Sequence, residues 1–310
     1  MGLLKNKYGK VRSGWRISLV LFLSFVFQII SGILVGVAGS LFLGVKDFIT
    51  GTDRTNESIQ TYLTEDPSMK MVISFLAMIS VILAVVMVLK LVDKKKVRDI
   101  GFRLNSKSIK DLLIGLFLGA ISMTAVFIIF KLTGNITVER GFNFSLYLLL
   151  DFILFVLVAI NEELLSRGYC LYTLKEYNSE KFAVVVSSII FSLLHIFNPN
   201  LKLFGLFNIF LVGVLFAYMT LKTGNIMMAI GYHITWNFFQ GNIFGLSVSG
   251  KATDGIITVS NIKDNIITGG AFGPEAGIVT TFVILIGFLF LNRFIKQDKI
   301  LKREEINMLD

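Results

Sequence analysis

Seven residues, Asn161-Glu162-Glu163-Leu164-Leu165-Ser166-Arg167, set two adjacent carboxylates and a guanidinium against the uncharged run Phe152–Ile160. A charge at bilayer depth costs on the order of 3 kcal/mol or more unless paired, so such groups mark function by default. On a helix Glu163 and Arg167 stand four residues apart with the acid first, the favourable order for an ion pair. Glu162 points about 100° away from Glu163 and has no such partner on its own helix. One carboxylate is tied down and the other is free to react. The plainer alternative is a helix end whose charges face lipid headgroups. The chain has two histidines, and both lie in other apolar runs. His195 closes Phe191-Ser192-Leu193-Leu194-His195, and His233 opens His233-Ile234-Thr235-Trp236-Asn237. His233 and Asn237 therefore share a helix face. A lone histidine on an apolar helix is more often a core residue than a catalyst, but two beside a Glu-Glu-Arg cluster form a constellation.

A carboxylate and an imidazole together can hold and deprotonate a water. A second imidazole with a carboxamide offers two donors to a developing oxyanion. The combination suits amide hydrolysis by activated water. Neither Gly-x-Ser-x-Gly nor His-Glu-x-x-His occurs, so the common serine and zinc signatures are absent. Cys170 is the single cysteine, which excludes an internal disulfide and reads as packing. Asp151, eleven residues before Glu162 and near the same helical face, is expected at the interface, with a second polar contact in the bundle as the alternative.

The elements that must position these groups follow from composition. Hydrophobic residues make up 54% of the 310 and charged residues 16%, against about 25% charged in soluble domains. Several uncharged runs approach or exceed the roughly 20 residues a spanning helix needs. The fold class is all-α, a polytopic membrane protein with about eight transmembrane helices. The net charge of +9 belongs to loops facing anionic lipid and implies no nucleic acid.

Residues 1–16 form a basic segment, and Ile17–Val45 is a first span too long for the apolar region of a signal peptide. Within it Gly32, Gly36, Ser40 and Gly44 make a small-residue stripe, repeated by Gly115 and Gly119 in the third span, which lets helices approach closely. Met71–Leu89, Leu112–Phe130, Phe144–Ile160, Phe182–Phe197, Leu203–Leu221, Ile226–Leu246 and Ala276–Asn292 supply the other seven. The loop Lys90–Asp111 holds eight basic residues and is expected inside; Lys46–Lys70, Lys131–Asn143 and Ser247–Glu275 are expected outside. Residues 17–292 thus form one transmembrane domain with its motif core at 144–246. The basic tail 293–310 and the N-terminus are both expected in the cytoplasm of a prokaryotic cell, across its plasma membrane. One conflict remains. Glu162 falls near the inner end of its span, whereas His195 lies about 20 Å along an outward one. To share a water, either the fourth helix must continue past Arg167 or the fifth must begin deeper than Phe182.

Glu162-Glu163-x-x-x-Arg167, Phe191-x-x-x-His195 and His233-x-x-x-Asn237, in this order on successive spans, resemble the three motifs of the CPBP family. These are CAAX-protease and bacteriocin-processing intramembrane endopeptidases of the Rce1 and Abi type. The motifs cover residues 162–237, a quarter of the chain. The resemblance implies that Glu162, helped by His195, activates water, that His233 and Asn237 face the oxyanion, and that Glu163 and Arg167 support them. The family has been described both as metal-free and as zinc-dependent, and Glu162, His195 and His233 could supply a two-His, one-Glu zinc set. The pairing of His233 with Asn237 suits an oxyanion hole, which points to no cofactor. The implied partner is a membrane-associated protein or peptide in the bilayer: a CAAX protein, a leader or a pheromone. Two other classes use the same residues: a non-catalytic immunity or scaffold protein, and a transporter, which would usually show two related halves.

Overall fold

With no water in the hydrocarbon layer, a chain of such composition must satisfy its backbone internally, and helices do this. The computed structural model describes residues 4–6, 9–52, 54–142, 147–253 and 255–297. The start of the fourth span at Phe144 and the basic residues from Lys299 onward lie outside these. Each of the eight predicted spans is helical over most of its described length, and the protein is an all-α polytopic membrane protein. Among the described residues four helices are long and apolar enough to cross a bilayer: Ser13–Thr50, Ser68–Asp93, Ser106–Leu132 and Leu203–Thr223. The others are shorter or interrupted by π-helical turns. The chain forms two compact units, Met1–Lys96 and Val97–Asp310.

The first unit holds α1 (Ser13–Thr50), α2 (Asn56–Glu65) and α3 (Pro67–Val88). Asp66 caps α3 by accepting from the backbone N–H groups of Ser68 and Met69. Arg16 meets Asp93 at 2.6 Å, both side chains nearly buried, which ties the start of α1 to the π-helical turn following α3. Ser31 and Ser80 share a hydroxyl hydrogen bond of 2.8 Å between the same helices. The predicted stripe is open: no atom comes within 4 Å of a Cβ built on Gly32, Gly36 or Gly44.

In the second unit α4 (Ser106–Leu132) crosses α9 (Met227–Phe238) at very short range. A Cβ on Gly115 or Gly119 would stand 2.1 or 2.2 Å from a carbonyl oxygen of α9, and one on Gly231 would stand 2.3 Å from that of Leu112. These glycines do what a small-residue stripe implies. Every residue from Met227 to Ile234 is buried, so α9 is a central element. Around it lie α5 (Tyr147–Glu163), α6 (Leu171–Lys175), α7 (Glu180–Leu193), α8 (Leu203–Thr223) and α10 (Ile278–Phe294). Gly224 ends α8 in the left-handed conformation at φ 74°, its N–H returning to Thr220, as the short Lys222–Asn225 connection requires. Two segments expected as plain external loops pair as antiparallel strands, β1 (Thr137–Phe142) and β2 (Ile257–Ser260), with a register irregularity between Val138 and Phe142.

Candidate active site

Glu162 and Glu163 are the last residues of α5, but the rod does not stop there. A π-helical stretch, Leu164–Cys170, carries it into α6, and such stretches recur at functional sites. The continuation resolves the depth conflict in favour of a longer fourth helix. Glu162 lies 13 residues before Lys175, and His195 lies 15 beyond Glu180. At 1.5 Å per residue both stand about 20 Å from the connecting turn.

Glu163 is fully buried, and its Oε1 accepts from Arg167 Nη1 and from His233 Nδ1, each at 3.0 Å. The first contact is the predicted ion pair; the second joins two motifs that sequence spacing could not connect. The Arg167 guanidinium lies 4.0 Å above the Phe191 ring centroid and 5.2 Å from that of Phe216, a cation–π platform in a desolvated place. The Phe191 carbonyl accepts from His195 Nδ1 at 2.9 Å, and its ring meets both imidazoles edge-on. The four-residue spacing of Phe191 and His195 thus has a physical use, since one residue orients the histidine and floors the arginine. Asp151 accepts from Asn242 Nδ2 at 2.9 Å, a polar contact between α5 and the π-helical turn that follows α9. Cys170 is buried in packing.

The two δ-nitrogen contacts set the tautomers. A carbonyl and a carboxylate can only accept, so each Nδ1 carries a proton; Nε2 then offers a lone pair on a neutral ring and an N–H on a doubly protonated one. Both Nε2 atoms face Glu162 Oε2, His195 at 3.8 Å and His233 at 3.9 Å. That oxygen has no hydrogen-bond partner among the described residues. Three polar atoms so placed are too far apart for direct bonds and suit a bridging water. The Glu162 side chain is 23% exposed and that of Glu163 is 0%, so the two adjacent carboxylates differ in accessibility.

His195, His233 and Asn237 line one cavity with Phe191, Phe216 and Trp236. No hydrogen bond to the Asn237 side chain is found among the described residues, so its amide remains available as a donor. The opposite wall holds a group the sequence reading left in solvent. Glu275, placed in an external loop, is buried. It accepts from Gln240 Nε2 at 2.7 Å and from the backbone N–H and hydroxyl of Ser249 at 2.9 and 3.1 Å. Asn208 also lines the cavity and donates to the carbonyls of Glu275 and Gly277.

The donor types of Glu162, His195 and His233 match a zinc set, but their spacing does not. Tetrahedral zinc with bonds of about 2.0–2.1 Å has ligand–ligand edges of about 3.4 Å, shorter than the 3.8 and 3.9 Å observed. Among the described residues no three His, Cys, Asp or Glu side chains are grouped to hold a metal ion.

A comparison with curated proteins finds no match to the chain. The family model described as Rce1-like, type II CAAX prenyl endopeptidase Rce1-like, matches residues 143–239, the segment that carries all three motifs. Over that segment, a little under a third of its length, the chain is similar to the Rce1-like family of CAAX prenyl endopeptidases.

Proposed function

We propose that the chain hydrolyses a peptide bond of a membrane-associated protein or peptide with water activated by Glu162 and His195. The observation that supports this reading is the partnerless Oε2 of Glu162, faced by the Nε2 atoms of both imidazoles. A water there donates one proton to Glu162 and the other toward His195. As its oxygen attacks the substrate carbonyl carbon, Glu162 takes the proton and the carbonyl becomes an oxyanion. Asn237 Nδ2 and the Nε2–H of a doubly protonated His233 face that oxyanion, while Glu163 holds the Nδ1 side. Collapse breaks the C–N bond, and Glu162 returns its proton to the leaving amine. Atoms and charge balance with no metal in any step.

The family description makes a CAAX protein one substrate class, and a leader or pheromone peptide is the other. The proposed orientation, in a prokaryotic plasma membrane, has both termini in the cytoplasm. Protein purified in nanodiscs without added metal should cleave a lipid-anchored peptide and keep its rate under strong chelators. Glu162→Gln should lower turnover by about 10²–10⁴ with an unchanged melting curve. Stoichiometric zinc, lost together with activity in His233→Ala, would overturn the metal-free mechanism.

A further inference from the structure

Glu275 has no part in the hydrolysis described above, yet its carboxylate stands in the wall of the same cavity. The donors that reach it, a carboxamide, a hydroxyl and the backbone N–H groups of Ser249 and of Glu275 itself, are all neutral. Among the described residues no Lys, Arg or His forms an ion pair with it. A carboxylate offers about four lone-pair sites. Ser249 supplies two of these contacts, Gln240 one and the backbone N–H of Glu275 itself a fourth, none of which brings a charge. An ionised carboxylate that is buried without a counter-charge is held at a cost, and a cation brought to it recovers much of that cost. The rest of the cavity suits the stem of such a cation, since Ile209, Val212 and Ile284 give an apolar wall along which methylenes can lie.

We propose that Glu275 is a specificity-determining residue that receives a basic side chain, lysine or arginine, of the bound polypeptide near the bond to be cut. The proposal rests on the hydrolytic reading only for what happens after binding. The binding itself can be measured alone.

The test uses full-length Glu162→Gln protein in nanodiscs and a set of N-acylated decapeptides. A single Lys is moved along an otherwise uncharged sequence, and each peptide is paired with its norleucine counterpart. At one position or two adjacent ones Lys should tighten binding about tenfold over norleucine, as expected for a charge-assisted bond. Adding Glu275→Gln should abolish that difference and leave the norleucine peptides within about twofold. If Glu275→Gln does not fold, Glu275→Asp, which draws the carboxylate back by one methylene, takes its place and should reduce the preference. The proposal is overturned if no position prefers Lys, or if the preference survives the change at residue 275. A lower melting temperature with an intact Lys preference would assign Glu275 to loop packing and equally overturn it. Wild-type protein that binds the Lys peptides but cuts none of them would count against hydrolysis and not against the lysine site.

Discussion

One oxygen of Glu163 accepts from both Arg167 and His233, and no solvent reaches it. Removing that carboxylate would strand a guanidinium between two aromatic rings and release the imidazole whose Nε2 faces Glu162. Breaking a buried pair from one side costs about 3–5 kcal/mol, so Glu163→Ala should lower the yield of folded protein and its melting temperature. Equal damage from Glu162→Gln would show that both acids share one structural role. Asn237 belongs to a different class of residue, because its amide holds no other side chain in place. Asn237→Ala should slow turnover by about 10²–10³, the usual loss for one oxyanion donor, with KM and melting nearly unchanged. A matching rise in KM would move Asn237 from the transition state to substrate binding.

At the scale of elements, two sets of glycines that look alike in sequence have opposite surroundings. Gly115, Gly119 and Gly231 have backbone carbonyls where a Cβ would go, whereas Gly32, Gly36 and Gly44 have open space. Alanine at any of the first three must force α4 and α9 apart, and overpacking of that kind costs about 1–3 kcal/mol or more. Alanine at the second three should be neutral or raise stability by up to about 1 kcal/mol, the helix preference of Ala over Gly. Thermal melts of the six single variants would separate the groups; a common response would contradict the crossing described here. The segment that carries Glu275 also contributes to the pH dependence of stability. Burial raises the Glu275 carboxyl above its ordinary range, against hydrogen bonds from its own backbone, Gln240 and Ser249 that lower it. The folded state therefore holds that proton more tightly than the unfolded chain. This stabilisation is present below the ordinary carboxylate range and is lost as pH rises through the raised value. Glu275→Gln should flatten that part of the plot of melting temperature against pH, and an unchanged slope would assign it to another group.

Across the whole molecule, what could be read from sequence depended on the range of the interaction. Eight helices were legible because each is one apolar run, broken by a charge only at Asp151. The Glu163–Arg167 pair was legible because its partners lie one turn apart. Contacts between distant residues were not: nothing local links Glu163 to His233, and a Gly-rich polar stretch gave no sign that Glu275 turns inward. The depth of Glu162 was misjudged because charges at Glu162, Glu163 and Arg167 look like a helix end, although buried pairing lets the rod continue to Lys175. The pairing of β1 with β2 was hidden too, and it now constrains topology. Strands that exchange backbone hydrogen bonds must lie on one side of the bilayer, and β1 follows the far end of α4 from Lys110. In the proposed orientation, which follows the basic bias of the Lys90–Asp111 loop, Lys110 lies inside and both strands lie outside. Cys170 is buried, and a Cys170→Ala background leaves no thiol, so single cysteines can report side by labelling with an impermeant maleimide. Thr137→Cys and Lys263→Cys, both at exposed positions, should label in intact cells, and Lys110→Cys only after permeabilisation. The reverse pattern would keep the fold and invert its orientation, moving Glu275 and the adjoining cavity wall to the cytoplasmic side. Labelling of Thr137→Cys and Lys263→Cys from opposite sides would be incompatible with the strand pair itself.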